Sequence, residues 1–144
     1  MKTKLLCIAL VVFICLSVLF FGNWMFEKQN NAELESLCQY SAGRMRERFA
    51  DYGQNGSEYD YHYGVSELVS FYNAYVHLTA ESSGSTDSNC LHINLLLGEL
   101  MKYPELSSEQ ISLMVSAAGM LLENVHDDNA HRLIFELYNT LARG

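Results

Sequence analysis

Residues 5–21, LLCIALVVFICLSVLFF, form a run of 17 residues without a charge. No other feature narrows the possible folds of this chain as sharply. Extended through GNWMF to Phe26, the segment has 22 residues, or about 33 Å of helix at a rise of about 1.5 Å per residue. A bilayer hydrocarbon core is about 30 Å thick, so this length spans it with a slight tilt.

A cleavable signal sequence has a shorter apolar stretch and small residues at the −3 and −1 positions of its cut site. Here Phe20 lies two positions before Gly22, and Asn23, Trp24, Met25 and Phe26 follow. None of these pairs suits such a site, and Ser41 with Gly43 lies too far downstream. Ile14 stands before Cys15, where a lipid-modified cysteine requires a small neighbour. Trp24 falls where aromatic side chains meet the membrane interface. The run therefore reads as an uncleaved transmembrane signal anchor; its rival is a secreted helical protein with a cleaved signal peptide.

Lys2 and Lys4 precede the run, whereas Glu27, Lys28, Glu33 and Glu35 follow it. The positive-inside rule then orients the chain. Residues 1–4 form a cytoplasmic tail, residues 5–26 the span in membrane lipid, and residues 27–144 an extracytoplasmic helical domain at the cell membrane. All 17 acidic residues follow Phe26, so this domain is more acidic than the −8 of the whole chain. Such a surface repels phosphate backbones, which excludes nucleic acid as a partner.

Beyond Phe26 the apolar residues recur at helical intervals. Leu34, Leu37, Cys38, Met45 and Phe49 define one stripe; Val65, Leu68, Val69, Tyr72, Val76 and Thr79 define a second. Ile93, Leu96, Leu97, Leu100 and Met101 form a face of a third helix. Ile111, Val115, Ala118, Leu122 and Val125 form a fourth, and Ala130, Leu133, Ile134, Leu137 and Leu141 a fifth. Breaks at Gly53–Ser57, at residues 81–89 and at Pro104 separate them. Asp87 or Ser88 caps the third helix, and Ser107 with Gln110 has capping-box spacing before the fourth. The fold class is all-α: one N-terminal transmembrane helix followed by a small antiparallel bundle of about four to five helices.

Three clusters carry candidate chemistry. Cys38 and Cys90 are the thiols outside the span, and an extracytoplasmic location permits a disulfide between them. Tyr59, Tyr61 and Tyr63 in EYDYHYG offer rings with polar tips, the residue type favoured at recognition surfaces. His126, Asp127, Asp128 and His131 in HDDNAH supply imidazole and carboxylate donors suited to a divalent metal. Asp127 and Asp128, however, also fit the start of a helix. In RMRER, Glu47 and Asp51 stand three residues after Arg44 and Arg48, a spacing that pairs charges along one helix. Asn55-Gly56-Ser57 matches the N-glycosylation pattern.

No nucleophile elbow, phosphate loop or dinucleotide fingerprint occurs. The expected function is non-enzymatic, without catalytic residues or a cofactor. It is protein–protein recognition or an accessory role at the outer membrane face, with another membrane or envelope protein as partner. The alternative is a ligand- or metal-sensing ectodomain built on the tyrosines or the His126/His131 cluster.

Overall fold

A computed structural model describes residues 2–83 and 87–143, apart from the side chains of residues 2–12, 14, 15, 23 and 81–83. Five helices and no strands occur among the described residues: α1 Lys2–Asn55, α2 Glu58–Ser83, α3 Ser88–Leu100, α4 Ser108–Glu123 and α5 Asp128–Leu141. The chain divides into two compact units, Met1–Glu33 and Leu34–Gly144.

The first unit is helical, and its described apolar side chains are exposed: Phe13, Leu16, Val18, Leu19, Phe20, Phe21, Trp24, Met25 and Phe26. Phe20 reaches 82%. Phe21 and Trp24 pair at 5.7 Å, and Lys28 Nζ sits 5.4 Å from the Trp24 ring centroid. Among the described residues no helix is long and apolar enough to cross a membrane. Half of the segment 5–26, namely residues 5–12, 14, 15 and 23, lies outside the described side chains. The expected transmembrane helix over residues 5–26 is therefore not supported among the described residues, where α1 is a single element over Lys2–Asn55. The expected loop over residues 81–89 is shorter than its composition suggests, because α2 continues to Ser83; residues 84–86 lie outside the described residues.

The second unit is a bundle of the distal part of α1 with α2 to α5. Its core includes Cys38, Ala42, Met45, Phe49, Leu68, Phe71, Tyr75, Ile93, Leu96, Leu100, Met114, Ala118, Leu121, Ile134 and Leu137. Caps start the helices where the sequence indicates. Asp87 accepts from the Asn89 N–H, Asp127 accepts from the Ala130 N–H, and Ser107 and Gln110 form the complete reciprocal box. Each supplies an acceptor for a first-turn N–H that has no partner within its own helix.

Neighbour relations close into a ring. Phe49 of α1 lies against Gly64 of α2; α2 packs on α3, α3 on α5, and α5 on α4. Ile111 beside Gly53, Arg46 beside Gly119 and Leu122 beside Gly43 return α4 to α1. Residue numbers rise on one helix as they fall on the other, so α1 and α4 are antiparallel. Gln110 at the start of α4 meets Thr140 at the end of α5, 3.5 Å apart, which makes those two antiparallel as well. The α3–α5 pair differs. Tyr75 touches both Asp87, the cap of α3, and His131, in the first turn of α5. Those two helices begin side by side, and the His92–Phe135 ring pair at 4.2 Å continues them in the same direction. An antiparallel bundle is thus correct for most neighbours but not for α3 and α5, because α5 inserts between α3 and α4.

Several expected faces are rotated. In α2, Phe71 and Tyr75 are buried while Tyr72 and Val76 are only partly so; in α4, Met114 and Leu121 replace Val115 and Leu122. Leu37 and Met101 remain exposed. One-residue shifts of about 100° move a side chain from one groove to the next, and the wide apolar stripe of each helix left that choice to packing.

Gly64 has the tightest surroundings of the described glycines. A Cβ there would lie 2.8 Å from the Phe49 ring. Gly98, in α3, has open space around it. Gly64→Ala should cost about 1–3 kcal/mol by overpacking. Gly98→Ala should instead raise stability by about 0.5–1 kcal/mol through helix propensity. Denaturant unfolding of both variants checks the opposite signs.

Candidate functional site: the aromatic end of the bundle

Six aromatic or imidazole groups, Tyr52, Tyr59, Tyr61, His62, Tyr63 and Tyr103, gather where α1 turns into α2 and where α3 leads into α4. The turn is fixed first. Gly56 adopts φ 65°, a left-handed conformation suited to glycine. The Asn55 side chain accepts from the Ser57 N–H at 2.7 Å, and Ser57 Oγ accepts from the Asp60 N–H at 3.4 Å. Asp60 then collects two donors: Arg48 Nη1 at 2.9 Å and Asn55 Nδ2 at 3.1 Å. These contacts hold the buried Asp60 carboxyl below its usual range, first through Asn55 and then through Arg48 and Ser57. The Asp60 hydrogen bond in turn pushes the Arg48 pKa up.

Arg48 therefore bridges α1 to α2 and does not pair with Asp51, the partner that spacing suggests. Arg44 and Glu47 do pair along α1, at 3.0 Å. An i, i+3 carboxylate lost to a more enclosed one, because Asp60 offers Arg48 a charge-assisted bond and a second donor to share it. The Asn55 amide of the glycosylation pattern is also committed to Asp60.

The three tyrosines separate. The EYDYHYG stretch is already helical from Glu58, so residues two apart point in opposing directions, and Tyr59 and Tyr63 share a face that Tyr61 does not. Tyr61 is 5% exposed and donates to the Leu100 carbonyl at 2.8 Å. Burial, together with Tyr52 and Tyr103, pushes its pKa well up. A surface comprising Tyr59, Tyr61 and Tyr63 is thus corrected to Tyr59 and Tyr63. These two rings lie 4.8 Å apart, and the Arg48 guanidinium sits 5.9 Å and 5.3 Å from their centroids. The result is an exposed aromatic pair stacked about a cation that is already held by Asp60.

On the other side of Tyr61 lies a cleft of about 600 Å³, lined by Tyr52, Glu58, Tyr61, His62, Tyr103 and Glu105. Tyr103 is a residue that sequence reasoning missed. Its φ of 54° places a non-glycine residue in the left-handed region, a conformation that costs about 1–2 kcal/mol for an L-residue. Its N–H donates to the same Leu100 carbonyl that Tyr61 uses. Its ring meets His62 at 4.8 Å and 70°. Lone-tyrosine positions after a helix end carry no pattern in the sequence, so only the chain path reveals it.

The remaining candidates have structural roles. Cys38 and Cys90 are both free and buried. Cys38 Sγ lies 3.9 Å from the Phe71 carbonyl and Cys90 Sγ 3.4 Å from Thr79 Oγ1. Those partners are eight residues apart on α2, about 12 Å of helix rise, too far for the thiols they hold to bridge without movement. Burial, with Glu35 second, pushes the Cys38 thiol up to about 12, and burial raises Cys90 too; neither is a ready nucleophile.

In HDDNAH, Asp127 caps α5, His126 and Asp128 are exposed, and His131 is buried with Nε2 3.0 Å from the Val125 carbonyl. Among the described residues no three His, Cys, Asp or Glu side chains converge as a metal-binding group. No family model, curated protein or solved structure matches the chain.

Two predictions follow from these placements. Burial lowers the His131 pKa, opposed by the Val125 carbonyl and Asp87. The unfolded state therefore binds the extra proton first. The neutral ring's stabilisation is complete above about pH 6.5 and is lost as pH falls through the depressed folded value. Unfolding free energy measured from pH 7.5 to 5 should decline on the acid side, and His131→Asn should flatten that decline. At Tyr103, glycine should leave stability unchanged or raise it by up to about 1 kcal/mol, whereas valine should lower it by about 1–2 kcal/mol. Thermal melts of the two variants separate backbone strain from ring packing.

Proposed function

We propose that this protein is a single-pass, membrane-anchored helical domain with a non-enzymatic role in recognising another membrane or envelope protein at the outer face. The observation that carries the reading is the exposure of the described apolar side chains on α1, among them Phe13, Leu16, Leu19, Phe20, Trp24 and Phe26. Water-facing helices of soluble proteins do not present contiguous apolar surface of this kind without something to cover it. Lipid covers it along residues 5–26, which satisfies the run's length and its lack of charge. Lys2 and Lys4 then lie on the cytoplasmic side and residues 27–144 on the other.

Tethering confines the bundle near the membrane and raises its effective concentration toward neighbours there. The surface best suited to such a neighbour is Tyr59 and Tyr63 about Arg48. Tyrosine and arginine are the residue types that dominate binding energy at protein interfaces. Holding Arg48 through Asp60 also reduces the entropy that a partner would have to overcome.

Membranes washed with alkaline carbonate should retain the protein, and its N-terminal peptide should begin ahead of residue 5. Release into the wash, or a mature chain beginning beyond Phe26, supports the secreted form instead. Cross-linking in intact membranes should capture a discrete neighbour, and a Tyr59→Ser, Tyr63→Ser double variant should lose that product while retaining its melting temperature. A product unaffected by the double variant would remove this surface from the proposal.

A further inference from the structure

We propose that the cleft at the aromatic end binds a quaternary ammonium group. This inference does not depend on the membrane reading. Three observations converge on that ligand class. The cleft has the size of a small-molecule site, about 600 Å³ against a typical range of about 300–1,000 Å³. Its rings meet at steep angles: Tyr52 to Tyr61 at 65°, Tyr61 to Tyr103 at 54°, and His62 to Tyr103 at 70°. Rings so differently oriented in one lining offer a cation more than one π-system to which it is electrostatically attracted.

Charge supplies the second observation. Glu58 and Glu105 stand in the same lining, and no lysine or arginine does. Neither carboxylate forms an ion pair among the described residues. Arg48, the nearby cation, is committed to Asp60 and to the Tyr59–Tyr63 face. A positive ligand would therefore meet two uncompensated carboxylates across ring faces.

The third observation is what the cleft withholds. The Tyr61 hydroxyl is already given to the Leu100 carbonyl and its ring is buried, so Tyr61 forms the floor of the cleft against which Tyr52, His62 and Tyr103 stand. Tyr103, 63% exposed, is held as the outer wall by a backbone conformation that L-residues adopt at a cost. A methylated ammonium, whose charge is spread over apolar methyl groups, suits rings that stand beside carboxylates. Such a group occurs in free choline and in the headgroup of phosphatidylcholine; both sources share the chemistry on which the cleft acts.

The test titrates the full chain, in a maltoside detergent free of ammonium groups, with choline and separately with its neutral carbon isostere 3,3-dimethylbutan-1-ol. Nuclear magnetic resonance of the His62 and Tyr103 ring protons reads binding. Choline should shift both, with the neutral alcohol at least about tenfold weaker. Tyr103→Gly removes a wall while relieving the backbone, and Glu105→Gln removes a charge while retaining shape. Each should weaken choline binding about fivefold or more with no loss of melting temperature.

Phosphatidylcholine vesicles that compete with choline would assign the source to the lipid headgroup. Absence of competition, with choline still binding, would assign it to the free cation. Equal affinity for the alcohol, an absence of shifts with choline, or full binding by both variants would each overturn the proposal.

Discussion

The ion pair between Arg48 and Asp60 is the constraint on which the aromatic end of the bundle depends. It joins α1 to α2 across a turn of two residues, and it does so in a largely enclosed place. A buried carboxylate without its cation is strongly unfavourable, so the two helices cannot slide past each other while both charges remain. With the pair made, the first turn of α2 has one rotational setting. Tyr61 turns inward to the Leu100 carbonyl, Tyr59 and Tyr63 turn outward over the guanidinium, and His62 faces Tyr103. The exposed Tyr59–Tyr63 pair and the cleft are thus opposite sides of one helical turn, set by a single interaction.

Small residues decide how the other helices approach. Gly64 admits the Phe49 ring between α1 and α2, while Gly43, Gly53 and Gly119 line the α1–α4 seam beside Leu122, Ile111 and Arg46. Ala117 and Ala118 are fully enclosed on α4. Interior packing leaves few voids, so a side chain longer by one carbon is felt at Gly64 and Gly53, while Gly43 and Gly119 leave ordinary contact distances. Cys38 and Cys90 belong to the same packing, as small apolar side chains raised away from ionisation by their surroundings.

Local chemistry was readable from residue types. Asp87, Ser107 with Gln110, and Asp127 all cap the helices they precede, because a side-chain oxygen beside an unpaired first-turn N–H needs no distant partner. The Arg44–Glu47 pair is of the same kind. What misled was contact between segments far apart in the chain. Asp60 outcompeted Asp51 for Arg48, α5 entered between α3 and α4, and Tyr103 reached the cleft from an unpatterned connection. His131, one of four residues grouped by composition as metal donors, instead spans back to the Val125 carbonyl inside the core.

The sequence by itself determined an all-helical fold, its five helical segments, the caps of the last three, and an uncharged apolar lead. Each follows from periodicity or from groups within a few residues of one another. Tertiary structure alone decided which face of each helix is buried, that α3 and α5 run together, and that Tyr61 parts from Tyr59 and Tyr63. The physical reason is that helical apolar stripes are wider than one groove. Rotation is settled only when a neighbouring backbone, a buried charge and its partner occupy the same space.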